Sequence, residues 1–340
     1  MTQKELAEEL GLSPGYLSKL ESGFLAPSEE IIRKLSSVLN YLPTFFYQEH
    51  RVYGPSTSEF YHRKRKAASA KEVARIHAEI NIRMNHVATF LRAAELEKHD
   101  FPRLDPEEFG NSVAEVARAA RMQWRLPSGP VKSVIEVIED AGGVVVRFPF
   151  HTRLVDAVSR WVPGLPPMFF VNEELPPDRE RLTLAHELGH MIMHQTVRPE
   201  IEEEANAFAA EFLMPEAEIR PQLYDLSLHK LASLKMHWKA SMAALLYRAS
   251  ELGVIQRGKS EYLWKQITRL GYRMREPVEL DPPTEEPTTM QDLIDLHCVE
   301  YGYSIAQLGT MCHWTEPELM AAYRIPQTNG DQRGSLRLIK

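Results

Sequence analysis

The sequence predicts a mostly α fold with a small β-sheet, of the α+β class. Three observations lead there. Apolar residues recur at helical spacing through most of the 340 residues. Three short runs rich in β-branched and aromatic residues interrupt that spacing between residues 144 and 172. Helical spacing then resumes to the end, broken only by a proline-rich stretch at residues 276–288. At ~100–200 residues per domain the length predicts two or three domains.

Composition narrows the functional classes. No run approaches the ~18 apolar residues that a membrane helix needs, so no membrane association is expected. Met1-Thr2-Gln3-Lys4-Glu5 lacks the layout of a signal peptide. Two cysteines, Cys298 and Cys312, cannot build a disulfide scaffold. These features predict a cytoplasmic protein in a reducing compartment. A net charge of -7 argues against a protein that coats nucleic acid. It leaves room for a local DNA-reading module.

Thr2 and Glu5 have capping-box spacing ahead of Leu6, Ala7 and Leu10, and Gly11 breaks that helix. Ser13 then Pro14 reads as an N-cap and first helical residue. The second helix runs over residues 14–21, with Leu17 and Leu20 inward, and ends at Ser22-Gly23. Ser28 caps a third, with Ile31, Ile32, Leu35, Val38 and Leu39 on its apolar face. Residues 42–46 add an apolar plug. Residues 51–75 hold seven Lys/Arg against two Asp/Glu, whereas residues 1–50 hold four against seven. The densest point, Tyr61-His62-Arg63-Lys64-Arg65-Lys66, reads equally as a phosphate-contacting arm or a solvated linker.

Helices are expected over residues 69–96, 112–126 and 131–140, with a turn at Pro127-Ser128-Gly129-Pro130. Residues 144–148, 155–162 and 168–172 read as strands. Pro176-Pro177 opens a long helix through His194, and helices follow to about residue 252.

That long helix contains Leu184-Ala185-His186-Glu187-Leu188-Gly189-His190, an H-E-x-x-H pattern. Residues four apart share a helix face at ~6 Å of rise, so both imidazoles can grip one zinc ion. Glu187, ~100° round, lies beside the ion's open position and can take a proton from the water that the metal activates. A catalytic zinc usually has a third protein ligand. His194 lies ~12 Å along the helix from His186, too far to share one ion, and reads as a C-terminal cation partner. Glu202 is favoured over Glu204, because Asn206 stands one turn on and suits a partner that orients a ligand histidine. Glu203 complements the helix dipole.

The segments Arg181-Leu182-Thr183-Leu184-Ala185-His186-Glu187-Leu188-Gly189-His190 and Glu202-Glu203-Glu204-Ala205-Asn206-Ala207-Phe208-Ala209-Ala210-Glu211-Phe212-Leu213-Met214-Pro215 resemble the ImmA/IrrE metallopeptidase family. The resemblance covers about residues 130–220. It implies a zincin-like fold with a short sheet beside the active-site helix. It also implies His186, His190 and Glu202 as ligands of one Zn(2+) per chain, and Glu187 as the base. Thr2-Gln3-Lys4-Glu5-Leu6-Ala7 and Ser13-Pro14-Gly15-Tyr16-Leu17-Ser18-Lys19-Leu20-Glu21-Ser22-Gly23 resemble an XRE/Cro-type helix-turn-helix without its usual first helix. Ser13, Tyr16, Ser18 and Lys19 would then reach DNA, with Gln3 in support.

Leu308 and Leu319 are separated as Leu6 and Leu17 are, with Thr315-Glu316 where Ser13-Pro14 stand. This echo predicts a second unit of similar shape. Residues 316–323 carry no Arg, Lys, Asn or Gln, which favours protein contact over base reading. His297-Cys298 and Cys312-His313 are adjacent pairs whose members point apart, so no second metal site is expected.

The expected organisation is therefore a helix-turn-helix over 1–48, a basic connector and helical linker over 49–126, a zinc peptidase domain over 127–255 and a helical region over 256–340. The expected function is a bacterial or phage transcriptional regulator that binds DNA. Its zinc-dependent endopeptidase domain would cleave a protein partner, a helix-turn-helix repressor. The alternative is a DNA-binding factor whose zinc domain senses or binds a partner without cutting. Glu187 favours the enzyme, since a structural zinc needs no general base and is usually closed by four protein ligands. Homodimerisation is left open.

Overall fold

A computed structural model describes residues 1–48, 69–94, 101–196 and 198–326. The basic run at residues 61–66 and the last two residues of the helix expected over 69–96 lie outside the described residues.

Local capping starts the first helices. In α1 (Gln3–Leu10) the Thr2 hydroxyl accepts from the Glu5 N–H, and the Glu5 carboxylate accepts from the Thr2 N–H. Gly11 closes the helix at φ 68°, in the left-handed region where glycine is least strained. Ser13 caps α2 (Pro14–Glu21) and Ser28 caps α3 (Glu29–Leu39). Ala7, Leu10 and Leu17 form a small core, flanked by Leu6, Leu12, Leu35 and Val38. Leu20 is only half-buried. The apolar plug is a 3-10 turn over Pro43–Tyr47, where Phe45 stacks on Tyr41 at 4.4 Å.

The chain continues through α4 (Ala70–Phe90), α5 (Val113–Gln123) and α6 (Val134–Asp140). Helix α6 starts three residues later than expected, at the Ser133 cap. The Val131 and Lys132 carbonyls accept instead from Arg181 and Lys239, at 2.7 Å each. Three strands follow, β1 (Val144–Phe148), β2 (Ala157–Arg160) and β3 (Met168–Asn172). Strand β2 is shorter than the expected residues 155–162. Arg160 pairs with Met168, so the next residue would face Pro167, which has no N–H to give the ladder. Then come α7 (Pro177–Met193), α8 (Ile201–Leu213), α9 (Glu216–Ile219), α10 (Leu228–Trp238), α11 (Met242–Glu251) and α12 (Arg257–Arg269). Last are α13 (Thr289–Val299), α14 (Ile305–Met311) and α15 (Glu316–Ala322).

These elements form two compact units. One holds residues 1–48, 83–94 and 291–326, the other residues 69–82, 101–196 and 198–290. In the first, the end of α4 serves the C-terminal helices. His86 meets Trp314 edge-on at 4.3 Å and lies 2.9 Å from the Tyr323 hydroxyl, and Phe90 meets His297 at 5.3 Å. The echo between the chain ends extends to the backbone. Ser304 and Gln307 form a capping box as Thr2 and Glu5 do, and His313 takes φ 57° where Gly11 takes 68°.

In the second unit the sheet order is β1-β3-β2, with β3 parallel to β1 and antiparallel to β2. Every strand residue is buried, as expected when both faces of a sheet are covered. Helix α7 packs on β2 and β3, α8 packs on α7, and α5 packs on α8. Close approach of α7 and α8 depends on Gly189. A Cβ there would lie 3.0 Å from the Phe208 ring, inside normal contact distance. The proline-rich residues 276–288 belong to this unit. The Glu285 carboxylate accepts from Ser133 Oγ and from the Val134 and Ile135 N–H groups, at 2.7–3.0 Å, and pairs with Arg181. Lys235, fully buried, is bonded by Asp178, Glu276 and Asp281.

Candidate metal centre

Helix α7 carries His186 and His190 on one face, with their Nε2 atoms 3.0 Å apart. Helix α8 begins after a short connection and presents Glu202 in its first turn. Its Oε1 lies 3.3 Å from His190 Nε2 and its Oε2 3.9 Å from His186 Nε2. One ligand atom from each of His186, His190 and Glu202 falls within 4.8 Å of the others. Asn206, one turn along α8, places Oδ1 3.0 Å from His186 Nδ1. If that amide oxygen accepts the Nδ1 hydrogen, His186 Nε2 is left as a bare lone pair. With both Nε2 atoms bare, two imidazole nitrogens and a carboxylate at one point suit a divalent cation. Imidazole, imidazole and carboxylate is also a zinc donor set that leaves a fourth position open. Burial pushes the His186 pKa down, and His190 beside it pushes the same way, which favours the neutral ring that a metal requires.

Glu187, 1% exposed, lies off this cluster. Ser159 Oγ, from β2, donates to its Oε2. The sequence reading did not single out Ser159. It stands 28 positions from Glu187, and only the packing of β2 on α7 joins them.

His194 does not act as the expected helix-terminal cation. Burial, with His190 and Arg198 nearby, pushes its pKa down to about 3, so the ring is neutral. Its Nδ1 lies 2.9 Å from His190 Nδ1 and its Nε2 2.8 Å from Glu204 Oε2. Glu204 thus faces His194, and Glu202 faces the histidine pair.

The DNA-reading candidates lie in the other unit. Tyr16 and Lys19 share a face of α2, and Ser18 lies ~100° away from Lys19. All three side chains are exposed. Gln3 Nε2 donates to Glu21 at 2.6 Å, tying α1 to α2. Ser13 Oγ accepts from the Tyr16 N–H, at 3.2 Å, as the helix cap.

Comparison with known families returns two matches. Residues 138–250 match the IrrE N-terminal-like domain of a peptidase family. Residues 1–46 match a helix-turn-helix. No curated protein matches the chain.

Proposed function

We propose that this chain, which joins an XRE-type helix-turn-helix to an ImmA/IrrE-like peptidase-family domain, is a cytoplasmic regulator of bacterial or phage transcription that acts by zinc-dependent endoproteolysis. The helix-turn-helix module brings it to DNA, and the peptidase domain cleaves a protein partner, a helix-turn-helix repressor. His186, His190 and Glu202 hold the metal. Bound there, zinc supplies Lewis acidity that makes a water molecule nucleophilic near neutral pH. Glu187 accepts the proton that this water gives up and passes it to the leaving amine. Ser159 holds the Glu187 carboxylate in one orientation. The observation that carries the proposal is the three-donor cluster of His186, His190 and Glu202, with Glu187 next to His186 in sequence and bonded by Ser159.

Glu187→Gln tests it. The amide is nearly isosteric, so fold and zinc content should persist. It cannot take the proton, and general-base catalysis is typically worth ~10²–10⁴-fold in rate. Partner cleavage should fall by at least that lower bound, and cells carrying the variant should fail to induce the target operon. Normal induction with full zinc content would favour the alternative, in which the zinc domain senses or binds a partner without cutting.

A further inference from the structure

We propose that His194 and Glu204 are positioning residues, a buried relay that orients His190 and strengthens its hold on the metal; this rests on the ligand reading above. Both residues are outside the ligand cluster. His194 is the first residue beyond α7, and its ring centroid lies 5.0 Å from that of His190. Glu204 stands two positions after Glu202 on α8 and so points to a different side.

Hydrogen accounting gives the relay its direction. At one end is a carboxylate, which only accepts. His194 Nε2, 2.8 Å from Glu204 Oε2, therefore carries a hydrogen. At the other end His190 must keep Nε2 bare to bind a metal, so its hydrogen sits on Nδ1. That hydrogen has an acceptor 2.9 Å away, His194 Nδ1. Each of the two contacts then holds one hydrogen, and the negative charge of Glu204 polarises His190 through an intervening imidazole. The second ligand histidine is supported differently, by the neutral amide of Asn206. Arg198, 3.4 Å from Glu204 Oε2, steadies the carboxylate end. The relay also welds the end of α7 to the first turn of α8, the same two helices whose ligands must converge.

The test is zinc affinity of the full chain by chelator competition, together with the visible spectrum of the cobalt-loaded protein. Partners of this kind are typically worth 10–100-fold in metal affinity. Glu204→Ala should weaken zinc by that factor while keeping one site, and should shift the cobalt bands. Glu204→Gln, whose amide oxygen can still accept from His194, should recover part of the loss. His194→Phe should weaken zinc as Glu204→Ala does, and the double variant should lose little more, since both break one chain of contacts. Affinities and cobalt spectra unchanged in Glu204→Ala and Glu204→Gln would overturn the relay. So would complete loss of the site in Glu204→Ala, which would make Glu204 a ligand. His186→Ala separates the premise from the inference. If it retains zinc, the ligand reading fails; if it loses zinc while the Glu204 variants do not, only the relay fails.

Discussion

Glu187, Glu202 and Glu204 carry the same carboxylate on two neighbouring helices, and their partners alone separate them. Glu187 receives a serine hydroxyl from β2, Glu202 faces two imidazole Nε2 atoms, and Glu204 faces the outer histidine. A ligand role is expected only of the second. His186→Ala and His190→Ala should each abolish the single zinc, because a three-donor site cannot spare a ligand. Glu202→Ala should weaken zinc more than Glu204→Ala does. Metal analysis of the purified variants checks this order, and full occupancy in either histidine variant would remove the assignment. Sequence spacing alone suggested the histidine pair, because residues four apart in a helix share a face. It ranked the glutamates only through the position of Asn206. The partnership of His194 with Glu204 is not legible in that spacing, since it joins side chains on two helices ten positions apart.

At the scale of elements, the site depends on how closely helices approach and on what braces them. Gly189 lets α8 come against α7, so Glu202 can reach the histidines. The N-terminal half of α7 is braced from behind by Lys235 of α10, which is bonded to Asp178 of α7 and to Glu276 and Asp281 beyond α12. Burial opposes the Lys235 charge, but Asp178 and Glu276 outweigh it and hold the pKa above 10.5. The sign follows. Its contribution to stability is fully present below pH 10.5 and is lost as pH rises through the higher folded value. Lys235→Met keeps the apolar stem but strands the carboxylates. Removing one partner of such a buried pair typically costs about 3–5 kcal/mol, read here as a shift in denaturant midpoint at pH 7. A loss below about 1 kcal/mol, the level of a surface ion pair, would mean that the carboxylates find other partners or water.

For the whole molecule, the net charge of -7 makes any DNA affinity a property of a few residues. Lys19, exposed on α2 beside Tyr16, is the cation best placed among the candidates. Lys19→Ala should weaken DNA binding about equally across sequences and reduce the slope of log affinity against log salt by about 1. An unchanged slope would take Lys19 off the phosphate backbone. Tyr16→Ala would then be the next variant to compare. Among the described residues no helix is long and apolar enough to cross a membrane. The unit that contains α2 also contains α14 and α15, whose caps and turn repeat those of α1 and α2. Its counterpart helix α15 carries Glu316 and Glu318 near the start and no Lys or Arg before Arg324, so of α2 and α15 only α2 offers a lysine.

Sequence by itself determined what is local. Thr2 with Glu5, Ser13 with Pro14, and Ser28 set the starts of three helices, because a cap is made within four residues of chain. The three strands and the helix that bears His186 and His190 were legible for the same reason, as periodicity and proline placement act over a turn or two. The start of α6 lies later than its pattern predicts, where the distant Arg181 and Lys239 bond the carbonyls of residues 131 and 132. Tertiary structure decided which carboxylate meets which partner. It brought Ser159 to Glu187, turned Glu204 toward His194, and laid residues 276–288 against the sheet-bearing unit. Each of these joins groups between 10 and roughly 150 positions apart, and no local pattern records such a pairing. Only the close fit of helix on helix and helix on sheet selects it.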